Sequence, residues 1–142
     1  MRYCPGMADR KTAPPFQRVT FTLRLAALLA WAAAIAWLSL AAEVKAPSGI
    51  LGWDKLNHFA AYALLTLLLV HTLRASCTPP AHLLVISWLI CCSWGLMLEG
   101  LQWYMGAGRL WEAGDLLANA LGALAACVLF RQIRGRSCQH ER

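Results

Sequence analysis

The amino-acid sequence predicts an all-α membrane protein: a bundle of four transmembrane helices with the N- and C-termini cytoplasmic. Three observations lead there. Hydrophobic residues fill 59% of the 142 positions and charged residues only 14%, whereas a soluble domain carries about 25% charged residues. Four stretches contain no Lys, Arg, Asp or Glu: Leu25–Ala42, Leu56–Leu73, Ala75–Leu98 and Leu116–Phe130. With four crossings, every Lys and Arg except Lys45, Lys55 and Arg109 falls on one side, and the positive-inside rule makes that side the cytoplasm.

The elements follow in order. Residues 1–20 form a basic tail interrupted by Pro5, Pro14 and Pro15. The first helix is expected at about 21–42. Its alanine content allows neighbouring helices to come close. Leu40-Ala41-Ala42 resembles a small-residue cleavage site, but the apolar run exceeds the roughly 7–15 residues of a signal-peptide core, so a retained helix is expected. Pro47-Ser48-Gly49 marks a turn. The second helix is expected at about 54–74, with Asp54 as a candidate N-cap. Pro79-Pro80 breaks the chain before a third helix at about 81–103. Gly106-Ala107-Gly108 is the next turn. A fourth helix at about 113–131 reaches span length if Asp115 and Arg131 sit at the two interfaces. Residues 132–142 form a basic C-terminal tail, which makes 21–131 the single membrane domain.

The net charge of +6 is accounted for by this topology, so no nucleic-acid partner is implied. The six cysteines form no C-x-x-C pair. Cys91, Cys92 and Cys127 fall within the spans, as small apolar fillers. No glycine-rich phosphate loop or dinucleotide fingerprint is present, and no cofactor is expected.

One stretch does not suit a simple connection. Residues 99–119 hold Glu99, Gln102, Arg109, Glu112, Asp115 and Asn119, interleaved with Trp103, Tyr104 and Trp111. In the four-helix topology the second helix starts where the third ends and the fourth begins. Asp54, Lys55 and His58 therefore share a leaflet with this stretch. Trp37, Trp53, Trp103, Tyr104 and Trp111 lie at the same depth, as an interfacial aromatic belt does. Helical spacing sharpens the convergence, because residues at i, i+3 and i+4 share a face. Asp54, His58, Tyr62 and Thr66 form one stripe. Ser87, Cys91, Gly95, Glu99 and Gln102 form a second, and Asp115, Ala118, Asn119, Gly122 and Ala126 a third. Ionisable residues at membrane depth are costly and are read first as functional.

The chemistry on offer is acid–base and anion binding. His58 with Asp54 is a candidate base and orienter, with Glu99 as a second acid or base. Lys55 and Arg109 are candidate contacts for an anionic group such as a phosphate. Gln102, Asp115 and Asn119 complete the binding set. No serine falls in the cluster to act as nucleophile. No metal site is assigned, because one histidine among scattered carboxylates is not a recognised ligand spacing. Each residue also has a structural reading: Asp54 and Asp115 favour helix N-termini, Glu99 and Arg109 could pair, and Asn119 could bridge helices.

Asp54-Lys55-Leu56-Asn57-His58-Phe59-Ala60-Ala61-Tyr62 resembles the D-K-x-x-H-F-x-x-Y element of the VanZ-like family. Glu99 and Gln102, then Arg109, Asp115, Asn119 and Gly122, resemble its E-x-x-Q … R … D-x-x-x-N-x-x-G element. The two elements occur in the family's order and cover residues 54–122. Where family members often place Pro-Gly before the arginine, this chain has Gly106-Ala107-Gly108. The resemblance implies a small integral protein of the bacterial cytoplasmic membrane and cell envelope, with a link to glycopeptide-antibiotic resistance. It brings no settled reaction. The expected function is therefore an outer-leaflet polar pocket for a lipid headgroup or lipid-linked cell-wall precursor. The alternatives are a membrane-embedded hydrolase or transferase acting on a lipid-linked phosphate, and a structural subunit of a membrane complex.

Overall fold

The computed structural model describes residues 15–41, 53–73, 80–105 and 113–139, with side chains for 19–41, 55–73, 81–105 and 113–133. Four helices make up the fold: α1 (Pro15–Leu40), α2 (Trp53–Leu73), α3 (Pro80–Tyr104) and α4 (Ala113–Gln139). No strand occurs among the described residues. Within them lie four segments long and apolar enough to cross a membrane: Val19–Leu40, Lys55–Leu73, Ala81–Tyr104 and Ala113–Ile133. The expected turns at 47–49 and 106–108 lie outside the described residues.

The helix ends differ from the sequence expectation in three places. Helix α1 starts at Pro15, inside the stretch expected as a tail. Both α1 and α3 open on the second proline of a Pro-Pro pair. A proline at the first helical position forgoes an N–H that would be unpaired anyway, and its fixed φ suits the helix. Helix α4 runs on to Gln139, past the expected stop at Arg131. No proline interrupts residues 131–139. Helix α2 starts at Trp53, so Asp54 lies in the first turn and not at the cap.

The helices run up and down in sequence. The C-terminal end of α1 meets that of α3, where Gln102 Nε2 donates to the Ser39 carbonyl at 2.5 Å. The N-terminal end of α2 meets that of α4 through His58 and Asn119. At the other end Val70, Leu83 and Phe130 form a small buried cluster, and the His71 ring stands edge-on to Phe130. The start of α1 and the end of α4 therefore share the end opposite the polar cluster. Helices α2 and α4 make the most extensive contact, α3 packs on both, and α1 lies at the side against α2 and α3.

The packing inverts the pattern of a soluble bundle. Many large apolar side chains point outward: Leu117, Leu121, Leu124 and Val128 form an exposed ridge on α4, and Val85, Ile86, Leu89 and Ile90 do so on α3. Small and polar ones face inward, among them Thr66, Ser87, Cys91, Ala118, Ala123 and Ala126. A soluble protein rarely exposes so broad an apolar surface. In lipid the arrangement is reasonable, because helix association there depends on close packing and interhelical hydrogen bonds. Two tryptophans supply such bonds. Trp31 Nε1 donates to the Ala61 carbonyl at 3.0 Å, and Trp88 Nε1 to the Ala120 carbonyl at 3.1 Å. Cys91 and Cys127 are buried free thiols. Thr66 and Thr72 bond back to the carbonyls of Tyr62 and Leu68.

The closest approach is at Gly122. A Cβ there would run into the Phe59 carbonyl oxygen and lie 3.0 Å from the Phe59 Cα. Backbone cannot rotate aside as a flexible side chain does, so only glycine fits. Gly100, by contrast, has open space where a Cβ would stand, with nothing within 4 Å. Gly122→Ala should separate α2 from α4 and cost about 1–3 kcal/mol, the usual range for overpacking. Gly100→Ala should be neutral or slightly stabilising, given the better helix propensity of alanine. Thermal unfolding of the detergent-solubilised variants checks both. Equal melting temperatures for the two would refute the close contact.

Candidate functional site

Three helix ends build the site. The Gly122–Phe59 contact lies one turn below it and sets its width. His58 immediately precedes Phe59 on α2, and Asn119 is three residues before Gly122 on α4. The close contact thus brings the imidazole within hydrogen-bond reach of the amide, with His58 Nδ1 3.1 Å from Asn119 Oδ1. With the amide oxygen facing the ring, this bond forms in the tautomer whose Nδ1 carries the proton and donates. That leaves Nε2 on the far side of the ring, 3.9 Å from Asp115 Oδ2. Asp115 is one turn before Asn119 on the same face of α4, as i, i+4 spacing requires. Its other oxygen, Oδ1, lies 3.7 Å from Lys55 Nζ and accepts no hydrogen bond although it is buried.

Helix α3 contributes Glu99, which is 8% exposed. A ring nitrogen of His58 and one carboxylate oxygen each from Glu99 and Asp115 all lie within 4.8 Å of one another. Three residues far apart in sequence thus present one nitrogen and two oxygen ligands to a common point. Their chemistry suits a proton or a divalent cation.

The floor of the site is equally specific. A Cβ on Gly95 would lie 3.0 Å from Asn119 Nδ2 and 3.2 Å from the Tyr62 hydroxyl. Glycine at 95 therefore leaves the room in which Asn119 and Tyr62 sit. Tyr62, 2% exposed, separates the polar end from the apolar core below, where it packs with Leu65, Leu69 and Leu98. Towards the membrane surface Trp37, Trp103 and Tyr104 are largely exposed, placing amphipathic rings around the polar end.

The structure brings together Lys55, His58, Glu99, Asp115 and Asn119 from the sequence-based set. Gln102 is buried, and its amide is engaged by the Ser39 carbonyl, which ties α3 to α1. Arg109, Trp111, Glu112 and the side chains of Trp53 and Asp54 lie outside the described residues. Sequence reasoning did not foresee Ser39 as a partner, because a backbone carbonyl leaves no mark in residue type. The roles of Gly95 and Tyr62 beneath the site were accessible in principle, since both fall on the inward stripes.

The His58–Asn119 bond is open to test. Asn119→Leu should leave an unpaired imidazole N–H inside the bundle and lower stability by about 1–2 kcal/mol. Asn119→Asp keeps an acceptor for Nδ1 and should lose less. Melting curves in detergent would show the order, and a leucine variant as stable as wild type would argue that the bond does not form.

No curated protein and no solved structure matches the chain. The family model described as VanZ/LLP1 does, over residues 10–134. That match spans all four membrane-crossing segments and every residue of the site, so the chain belongs to the VanZ/LLP1 family.

Proposed function

We propose that the protein binds the anionic headgroup of a membrane lipid, or of a lipid-linked cell-wall precursor, at the outer leaflet of the bacterial cytoplasmic membrane. The observation that carries this reading is the convergence of Lys55, His58, Glu99, Asp115 and Asn119 from three helices at one end of an apolar bundle. The outer side follows from charge: this end is flanked by Lys45, Lys55 and Arg109, while the basic tails adjoin the other. A headgroup arriving through the leaflet meets a polar end framed by Trp37, Trp103 and Tyr104, the side chains that sit well at headgroup depth.

Within the site Lys55 is the group suited to the anion. Its side chain is 37% exposed while Asp115 is 13% exposed, so the ammonium lies at the rim and the carboxylate inside. Their 3.7 Å separation is longer than a charge-assisted hydrogen bond of about 2.7–2.9 Å. An ammonium at the rim is placed to take a phosphate oxygen from the lipid side. Arg109, in the connection between α3 and α4, is the second anion contact in this reading.

Gentle purification followed by mass spectrometry of co-purifying lipids tests the proposal. Wild-type protein should carry over a phosphate-bearing lipid above its abundance in the membrane. Lys55→Ala and Arg109→Ala should reduce that enrichment several-fold while leaving the protein folded and abundant. Identical lipid profiles for all three proteins would sink the idea.

A further inference from the structure

We propose that His58, Glu99 and Asp115 form a binding site for a single first-row divalent cation, zinc or manganese, held by His58 Nε2 and one carboxylate oxygen from each acid. The site shares its residues with the headgroup reading, but the metal alone can probe it, so each can fail without the other.

The first argument is geometric. The candidate ligand atoms lie within 4.8 Å of one another, and the His58 Nε2–Asp115 Oδ2 pair is at 3.9 Å. Ligands about 2.1 Å from a tetrahedral or octahedral metal stand roughly 3–4.2 Å apart. Small side-chain rotations close the remaining difference, since each ligand comes from a different helix, with α2, α3 and α4 supplying one apiece.

The second argument is independent of spacing and comes from the imidazole. Its Nδ1 donates to the Asn119 carbonyl oxygen, so a neutral ring turns the Nε2 lone pair towards the Asp115 carboxylate. Lone pair against anion is repulsive. A proton or a metal ion between them relieves that repulsion. Fixing one ring nitrogen by an outer hydrogen bond so that the other faces the ion is the common arrangement at histidine metal sites. Asn119 plays that positioning part here.

The third argument is the second oxygen of Asp115. Oδ1 is buried and accepts no hydrogen bond, and Lys55 stands 3.7 Å away. Lys55 can thus steady the outer oxygen while Oδ2 turns to the cation. Two carboxylates offset a divalent charge at a depth where net charge is costly, and the remaining ammonium of Lys55 stands at the half-exposed rim. One nitrogen with two oxygens suits zinc or manganese better than the all-oxygen shells favoured by calcium and magnesium.

The test uses the full chain in detergent, stripped with a chelator, dialysed and titrated with Mn²⁺. Manganese is chosen because soft sulfur ligands, which Cys91 and Cys92 could offer, select other metals. The expected result is one Mn²⁺ retained per chain, a higher melting temperature with metal than with chelator, and nitrogen coupling from an imidazole in the electron spin-echo spectrum. Asp115→Asn and Glu99→Gln should each weaken binding at least about 100-fold, and Asn119→Leu by about 10–100-fold, the range for outer-shell partners. Cys92→Ser should bind as wild type does. Where a ligand variant does not fold, the wild-type protein decides alone. No retained Mn²⁺, or bound Mn²⁺ without nitrogen coupling, would overturn the site and leave a proton on His58 as the species between ring and carboxylate.

Discussion

The backbone contact between Gly122 and Phe59 is the constraint on which the rest of the structure depends. Because the Phe59 carbonyl oxygen occupies the space a Cβ would need, α2 and α4 cannot accept any other residue there and stay where they are. Everything polar above that contact inherits its geometry. His58 reaches Asn119 because the two helix axes are already close one turn below. Asp115, one turn further out, then meets both His58 and Lys55. Bulkier residues at 122 would move these groups apart together, so the small residue deep in the bundle and the charged ones near its mouth act as one unit.

Small residues on the inner faces also explain how a chain with so apolar an exterior acquires a defined interior. Lipid tails are as apolar as leucine side chains, so burying leucine brings little gain in a membrane. Shape and hydrogen bonds have to direct assembly. Here Ala118, Ala123 and Ala126 let the helices approach. Trp31, Trp88 and Gln102 then donate across helix boundaries to backbone carbonyls. Each of those bonds fixes a rotation of one helix about its axis, which is information that sliding apolar surfaces cannot supply.

Much of this was legible in the sequence, for a physical reason. Helix number follows from charge-free runs of membrane length, and the inward face follows from i, i+4 repetition of small and polar residues. The stripe Ser87, Cys91, Gly95, Glu99 and Gln102 is buried throughout, and the juxtaposition of His58 with Asp115 and Asn119 needed only the alternation of four crossings. What escaped were features that depend on distance and not on residue type. The depth of the Gly122 contact and the Ser39 carbonyl as a partner for Gln102 both require coordinates. The ends of α1 and α4 escaped for a different reason. Polar residues at 15–20 and 132–139 end an apolar run without ending a helix, and the sequence reading followed the apolar run.

A purely structural part for the cluster has to explain why it contains ionisable groups at all. The same bundle joins α1 to α2, α1 to α3 and α3 to α4 with neutral donors on backbone carbonyls, and neutral bonds avoid the desolvation cost of buried charge. Between α2, α3 and α4 it instead places two carboxylates, an imidazole and an ammonium. Stapling those helix ends would need only the His58–Asn119 kind of contact. Two carboxylates lie within 4.8 Å of each other and of a ring nitrogen, with the Lys55 ammonium 3.7 Å from one of them. Such a grouping carries a desolvation cost that the neutral contacts elsewhere in the bundle avoid, which sets this end apart from the other helix junctions.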